Sequence, residues 1–253
     1  MFETLGAWDV GMTHSKLAEH LGIPKSSLTQ LLKTMVQRGY IRFNSEDRTY
    51  HIGPRIEALA GRKREILDLT TIIQPFLEKI TAATGESTFL NLLSGDMAQL
   101  TARVIGPQPL VTVLTLGQMV PLYATAGSRA ILAFLPAEMR EDYLERTALK
   151  AFTPNTVTST KKLREELDRV RRARVSVSSD ELFLGITGVA IPVLSDSGHS
   201  LGSVVVSMPT MRFIKDSRVA ITNSLREQID MLQAQLAGFS SQSRANVSRL
   251  ESR

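Results

Sequence analysis

The chain contains no cysteine, which excludes disulfides, thiolate nucleophiles and Cys-ligated zinc. No apolar run approaches the roughly 18 residues a membrane-spanning helix needs. The opening Met1-Phe2-Glu3-Thr4 lacks the basic-then-apolar layout of a secretory leader. A reducing cytoplasm is therefore the expected location, with no membrane partner. Catalytic signatures are also missing: there is no HExxH, GxxxxGK[ST], GxSxG or EF-hand loop. The four histidines are His14, His20, His51 and His199. Three lie near the start of the chain, and His199 reads as a solvated turn residue. Asp180 and Glu181 are adjacent and would point apart on a strand, a poor acid–base pair. No catalytic residue, metal or other cofactor is expected.

What is present is ordinary globular material. At 253 residues, 43% hydrophobic and 22% charged, the chain suits one large domain or two smaller ones. Its net charge of +5 is unevenly placed. Between Val10 and Arg64 ten Lys and Arg face four Asp and Glu; the rest of the chain holds 20 basic and 21 acidic residues. A small basic domain joined to a larger, nearly neutral one is a layout expected of nucleic-acid binding coupled to a second task.

The first 55 residues read as a DNA-binding unit. Thr13 or Ser15 can cap a helix through Lys16–Leu21, and Gly22 supplies the left-handed C-cap. Pro24 suits the first turn of the next helix. Leu28, Leu31, Leu32, Met35 and Val36 then follow the spacing of an amphipathic stripe. Gly39 ends that helix. Tyr40–Phe43 and Thr49–Ile52 form two strands around the polar loop Asn44–Arg48. Helix, tight turn, helix and hairpin make a winged helix-turn-helix. No acid occurs between Pro24 and Gly39, as a face approaching phosphates requires. Lys25, Ser26, Ser27, Thr29, Gln30 and Lys33 on the second helix, Arg48 in the wing and Arg55 beyond it are the expected DNA contacts.

A linker helix is expected over 56–73. Leu59, Ile66 and Ile73 recur every seven residues, which suits either pairing between subunits or packing on the chain's own second domain. Residues 74–237 read as an α+β domain. Its expected strands are Thr88–Leu93, Gln99–Val104, Leu110–Leu114, Thr187–Leu194 and Leu201–Met208. Its expected helices are Pro75–Ala83, Ser128–Leu135, Ala137–Arg146, Thr160–Arg172 and Val219–Gln235. Strands in hairpins with helices grouped between them indicate an antiparallel sheet. Residues 238–253, rich in Ser and Arg, are expected to form a flexible tail.

The order of motifs resembles the isocitrate-lyase-regulator (IclR) family of bacterial transcription factors over about Leu5 to Ala237. The first domain contributes Leu21-Gly22-Ile23-Pro24-Lys25-Ser26-Ser27, Gly39-Tyr40 and Tyr50-His51-Ile52-Gly53. The second contributes Gly117 to Leu122, Ala124 to Ala133, Phe152 to Thr156, Gly185 to Val193 and Val206 to Pro209. The resemblance implies a winged helix-turn-helix, a linker helix and a GAF-like effector-binding domain. It also implies a homodimer or dimer of dimers on palindromic double-stranded DNA. Relatives carry more sequence before Leu5, so Met1–Ala7 reads as the end of a first helix and the true start is expected upstream. Arg is common at the place of Gln30, and Gly at that of Arg174. Ser178 and Gly188 stand where relatives that bind small oxoacids carry Asp and Cys, which argues against a two-carbon oxoacid.

The small residues of Tyr123–Ser128 lead into a helix start, where uncovered N–H groups and positive potential favour an anion. The expected effector site places the carboxylate of a small organic acid at Ala126, Gly127 and Ser128. Leu114, Met119 and Leu122 would lie against its body, with Ser207 as hydroxyl partner and Ser178 and Gly188 nearby. The leading expectation is an effector-controlled DNA-binding regulator. The alternatives are a small-molecule-binding signalling module or enzyme with an accessory winged helix, and an interaction protein without a ligand.

Overall fold

The computed structural model describes residues 1–6, 11–58, 69–109 and 114–251, with side chains to 237. The chain divides into a unit of Met1–Glu65 and one of Ile66–Arg253.

The first unit holds α1 (Phe2–Gly6), β1 (Met12–Thr13), α2 (His14–Leu21), α3 (Lys25–Gln37), β2 (Ile41–Asn44) and β3 (Thr49–Ile52). Its sheet runs β1-β3-β2, antiparallel throughout. Thr13 occupies the N-cap of α2 without a side-chain cap bond. Gly22 ends α2 at φ +61, a conformation costly for any residue with a Cβ. Pro24 is the N-cap of α3 rather than its first helical residue. Leu28 and Leu32 are buried with Leu5, Met12, Leu17 and Ile41 in one core, and Met35 and Val36 pack at its edge. All of the stripe expected of α3 except Leu31 faces this core, and Leu31 is half-buried outside it. Residues 54–58 are helical, as are 69–72, while 59–68, including Leu59 and Ile66, lie outside the described residues. Ile73 is buried in the second unit's core.

The second unit is built on a six-stranded antiparallel sheet. The elements are α4 (Gln74–Thr84), β4 (Ser87–Ser94), β5 (Met97–Val104), β6 (Met119–Pro121), α5 (Ala126–Ala133), α6 (Ala137–Arg146), α7 (Thr160–Ala173), β7 (Ser176–Ser179), β8 (Ile186–Leu194), β9 (Ser200–Pro209) and α8 (Lys215–Glu251). The sheet order is β6-β5-β4-β9-β8-β7. Period-two alternation divides its faces. Val204, Val206 and Met208 join Leu77, Ile80, Leu225 and Ile229 in a core with α4 and α8. Their neighbours Val205 and Ala190 join Phe89, Leu100, Ala126 and Ala130 beneath α5. A further core joins α5, α6 and α7 through Ile131, Leu132, Tyr143, Leu144, Leu163 and Leu167.

Several expectations change. Short strands β6 and β7 escaped the sequence pattern because three or four residues carry too little periodicity. Residues 110–113 of the expected strand Leu110–Leu114 lie outside the described residues, and Leu114 itself is not in a strand. Asp180 and Glu181 sit in a turn rather than a strand, with Asp180 at φ +60. The Asp180 carboxylate accepts from the Gly185 N–H and the Thr210 hydroxyl, which closes that turn. The last helix continues to Glu251, through the stretch expected to be a tail; no proline follows Gly238 to stop it.

Candidate functional site

Two regions of the molecule carry chemistry, one in each unit.

In the first unit, Lys25, Ser26, Ser27, Thr29, Gln30 and Lys33 are all exposed on α3. Ser26, Ser27, Gln30 and Lys33 point away from Leu28 and Leu32, Lys25 is exposed where it opens the helix, and the helix carries no carboxylate. Thr29 differs from the others: its hydroxyl donates to the Lys25 carbonyl and lies 3.0 Å from His14 Nε2. That hydroxyl is therefore engaged locally, and His14 joins the polar face, which sequence reasoning did not anticipate. Arg48 is exposed in the wing turn at φ +58. Nearby, the Thr49 hydroxyl holds the Asp47 carboxyl below its ordinary range. Arg55 lies over the Tyr40 ring, 5.7 Å from its centre, beside Gly39 at the far end of α3. A helix of 13 residues is about 20 Å long, so Arg55 and Lys25 stand at opposite ends of α3.

In the second unit a cavity of about 640 Å3, its open mouth included, lies between the sheet and the start of α5. Five of the nine expected residues line it: Leu114, Ala126, Ser178, Gly188 and Ser207. Four do not. Met119 lies on β6, 38% exposed, while Val120 on the opposite face lines the cavity. Leu122 is buried in the core of α5, α6 and α7. Gly127 packs face-on to the sheet: a Cβ there would lie 2.4 Å from both Asn91 Nδ2 and Val205 Cγ2. Its small size serves close helix–sheet approach, and a Val at 127 would displace α5. Ser128 is turned into a capping box, its N–H donating to Thr125 Oγ1 and its hydroxyl accepting from the Thr125 N–H.

The expected row of open N–H groups is therefore mostly occupied. The Ala126 N–H donates to Ser178 Oγ at 2.8 Å. Among the described residues only the Gly127 N–H of this turn has no protein partner. Ser178, accepting from the helix, keeps its own O–H to donate. Ser207 Oγ makes no hydrogen bond to the described residues and is 5% exposed. The helix start reaches the cavity through the Ser178 hydroxyl rather than directly.

Charge enters the cavity once. Glu181 lines it, and both its oxygens are held by Arg129, a side chain only 1% exposed. Arg129 Nε also donates to the Tyr123 carbonyl at 2.8 Å. Thr153 and Thr156 hydroxyls donate to the Glu181 carbonyl and fix the turn that carries it. The cavity thus offers hydroxyls, one neutralised carboxylate and apolar walls from Phe89, Leu100 and Val205. Sequence reasoning missed Phe89 and Asn91. The available signal was a lone Asn in the apolar strand Ser87–Ser94, on the same face as Phe89.

A winged helix-turn-helix joined to an α+β domain with an open-mouthed cavity that carries polar side chains defines a class: a one-chain transcription regulator with a pocket in its second unit. The comparisons agree. A helix-turn-helix model of IclR matches residues 2–45, and a model described as bacterial transcriptional regulator IclR C-terminal matches residues 64–233. The chain is 31% identical over 213 residues to the HTH-type transcriptional regulator Rv1719 of Mycobacterium tuberculosis, covering 84% of this chain and 81% of that one. Its fold matches the crystal structure of Thermotoga maritima IclR with a TM-score of 0.65 and 26% identity, over 89% of this chain and 91% of that chain. It also matches the inducer-binding domain of a PobR double mutant from Acinetobacter, solved with 3-hydroxybenzoic acid. There the TM-score is 0.60 and the identity 27%, over 65% of this chain and 97% of that chain. The chain belongs to the IclR family of transcriptional regulators. No helix among the described residues is long and apolar enough to cross a membrane.

Proposed function

We propose that the chain binds palindromic double-stranded DNA as a dimer or dimer of dimers, and that a small organic acid in the second unit's cavity controls that binding. The N-terminal half of α3 would enter the major groove, with Ser26, Ser27 and Gln30 toward base edges. Lys25, Lys33, Arg48 and Arg55 would meet phosphates. The acid's carboxylate would take hydrogen bonds from the Ser178 and Ser207 hydroxyls, with the Gly127 N–H and the dipole of α5 behind them. Its body would lie against Phe89, Leu114 and Val205. The carrying observation is the Ser178–Ala126 hydrogen bond, which turns a hydroxyl donor toward the cavity beside an unpartnered Ser207. The complex of the Acinetobacter relative with an aromatic acid supports an acid of that size rather than a two-carbon one.

A regulatory rather than catalytic role, in the cytoplasm, completes the reading. The cavity's only carboxylate is engaged by Arg129, and none of the four histidines lines it, so no poised base faces the ligand. The test combines operator binding by fluorescence anisotropy with thermal shift over a panel of small carboxylates. An acid at 100 times its Kd should stabilise the protein by about 2.7 kcal/mol and change operator affinity by about 5- to 150-fold. An acid that stabilises without changing operator affinity would separate binding from control. A panel with no stabilising member would sink the effector reading.

A further inference from the structure

We infer that the end of α7 and the side of α8 beside it form a second binding site, which takes the phosphate group of a small molecule. The site shares no residue with the first cavity, so it stands apart from the organic-acid reading above.

The site is a recess of about 700 Å3, its open mouth included, at the edge of the sheet. β7 pairs with β8 only from Thr187 to Ala190, so Ile191 to Leu194 run on beyond it with no strand of the described residues on that side. A free strand edge ordinarily invites another strand. This one does not: Pro192 has no N–H, and the Leu194 N–H donates to Gln233 Oε1 at 3.3 Å. Recognition is left to side chains. Ile191, Leu194 and Ile229 supply apolar walls, and Arg172, Arg174 and Arg226 stand around the recess with Asp230.

Three guanidinium groups against one carboxylate leave a surplus of positive charge. Arg226 Nη2 donates to the Ala173 carbonyl at 3.4 Å, which holds this α8 side chain against the end of α7 and uses one of its donors. None of the three arginines forms an ion pair with the described residues, not even with Asp230. Exposed arginines elsewhere in this unit do find partners: Arg146 holds Asp96 and Asp142, Arg164 holds Glu141 and Arg169 holds Glu166. The dipole of α7 favours cations in its last turn and accounts for Arg172. It does not account for Arg226, which belongs to another helix. Nor does it account for Arg174, which keeps a left-handed backbone at φ +52 where glycine would be unstrained. A bound anion answers all three. Guanidinium forks meet phosphate oxygens in pairs, and a phosphate monoester or diphosphate has the oxygens and the charge to engage three of them, which a single carboxylate lacks. The Gln233 amide, its oxygen taken by the Leu194 N–H, keeps its NH2 group as a further donor.

Isothermal titration of the full chain with inorganic phosphate and with pyrophosphate, at an ionic strength held constant with sodium chloride, tests the inference. Pyrophosphate should bind once per chain and about tenfold or more tightly than phosphate. Arg172→Gln and Arg226→Gln should each weaken pyrophosphate binding about tenfold or more. Arg171→Gln removes the same charge from the same helix end but outside the recess, and should weaken it less than about twofold. Asp230→Asn should tighten binding about threefold or more, a gain that damage to the fold cannot mimic. Equal losses for Arg171→Gln and Arg226→Gln would reduce the recess to diffuse surface charge and overturn the inference. So would the absence of pyrophosphate binding by the wild type, or an unchanged affinity in Asp230→Asn. Each of these results leaves the first cavity and its acid untouched.

Discussion

The two units use polar residues in opposite ways. On α3 the polar groups are exposed, and water satisfies them until a duplex arrives. Ser26, Ser27, Gln30 and Lys33 cost the fold almost nothing there. In the cavity the polar side chains are largely buried, and the fold either pairs them or turns them toward the cavity. Arg129 and Glu181 satisfy each other, whereas Asn91 and Ser207 have no partner among the described residues. Surface recognition is therefore nearly free in stability, and pocket recognition is not.

The sharpest way to break this contrast is to remove the buried cation that holds the cavity's one carboxylate. Arg129→Met would leave Glu181 enclosed without its partner and free the Tyr123 carbonyl. Breaking a buried pair from one side costs about 3–5 kcal/mol. Urea unfolding of the full chain should show a loss of that size, while Lys33→Met on α3 should stay within about 0.5 kcal/mol. If Arg129→Met costs under about 1 kcal/mol, Glu181 simply turns to solvent, and the two units do not differ as argued.

The reverse asymmetry should appear in DNA binding. Gln30 is exposed on α3 and can pair bidentately with an adenine edge. Gln30→Ala should weaken operator binding by about 1–3 kcal/mol and relax preference at one base pair in each half-site, with no change in unfolding. Lys33→Ala should weaken operator and random DNA alike and reduce the salt slope by about one unit. Anisotropy titrations at several salt concentrations check both. Equal losses on the two DNAs for Gln30→Ala would remove its role in base reading.

The same contrast explains what was legible in the sequence. The α3 face is contiguous, and the spacing Leu28, Leu32, Met35 fixes which residues point outward. The absence of acids from Pro24 to Gly39 could be counted directly. Cavity residues come instead from all six strands β4 to β9, the turn after β7 and the start of α5, and only tertiary register brings them together. Small residues near Gly127 marked the right neighbourhood. They could not reveal that the Ala126 and Ser128 N–H groups are taken by Ser178 and Thr125. The face of β6 was equally hidden: a three-residue strand does not say whether Met119 or Val120 points inward.

Two arginines bring the comparison to its smallest scale. Arg48 in the wing and Arg174 at the end of α7 both adopt left-handed backbone, at φ +58 and +52. The second is a place where glycine would carry no backbone strain: Arg174 is the C-cap of α7, its N–H bonded to the Val170 carbonyl at 2.7 Å. A left-handed residue with a Cβ carries a penalty of about 1–2 kcal/mol, and the greater chain entropy of unfolded Gly takes back about 0.5–1. Each Arg→Gly change should therefore stabilise its own unit by about 0.5–1 kcal/mol. Their functional consequences should differ. Arg48→Gly removes a proposed phosphate contact and should reduce the salt slope of operator binding by about one unit. Arg174 is exposed and makes no ion pair with the described residues, so Arg174→Gly should leave operator affinity and its salt dependence unchanged. Urea midpoints and anisotropy on the two single variants decide it. If Arg48→Gly gains stability and keeps the full salt slope, the wing stands clear of the duplex, and its left-handed arginine does as little for DNA binding as the one at the end of α7.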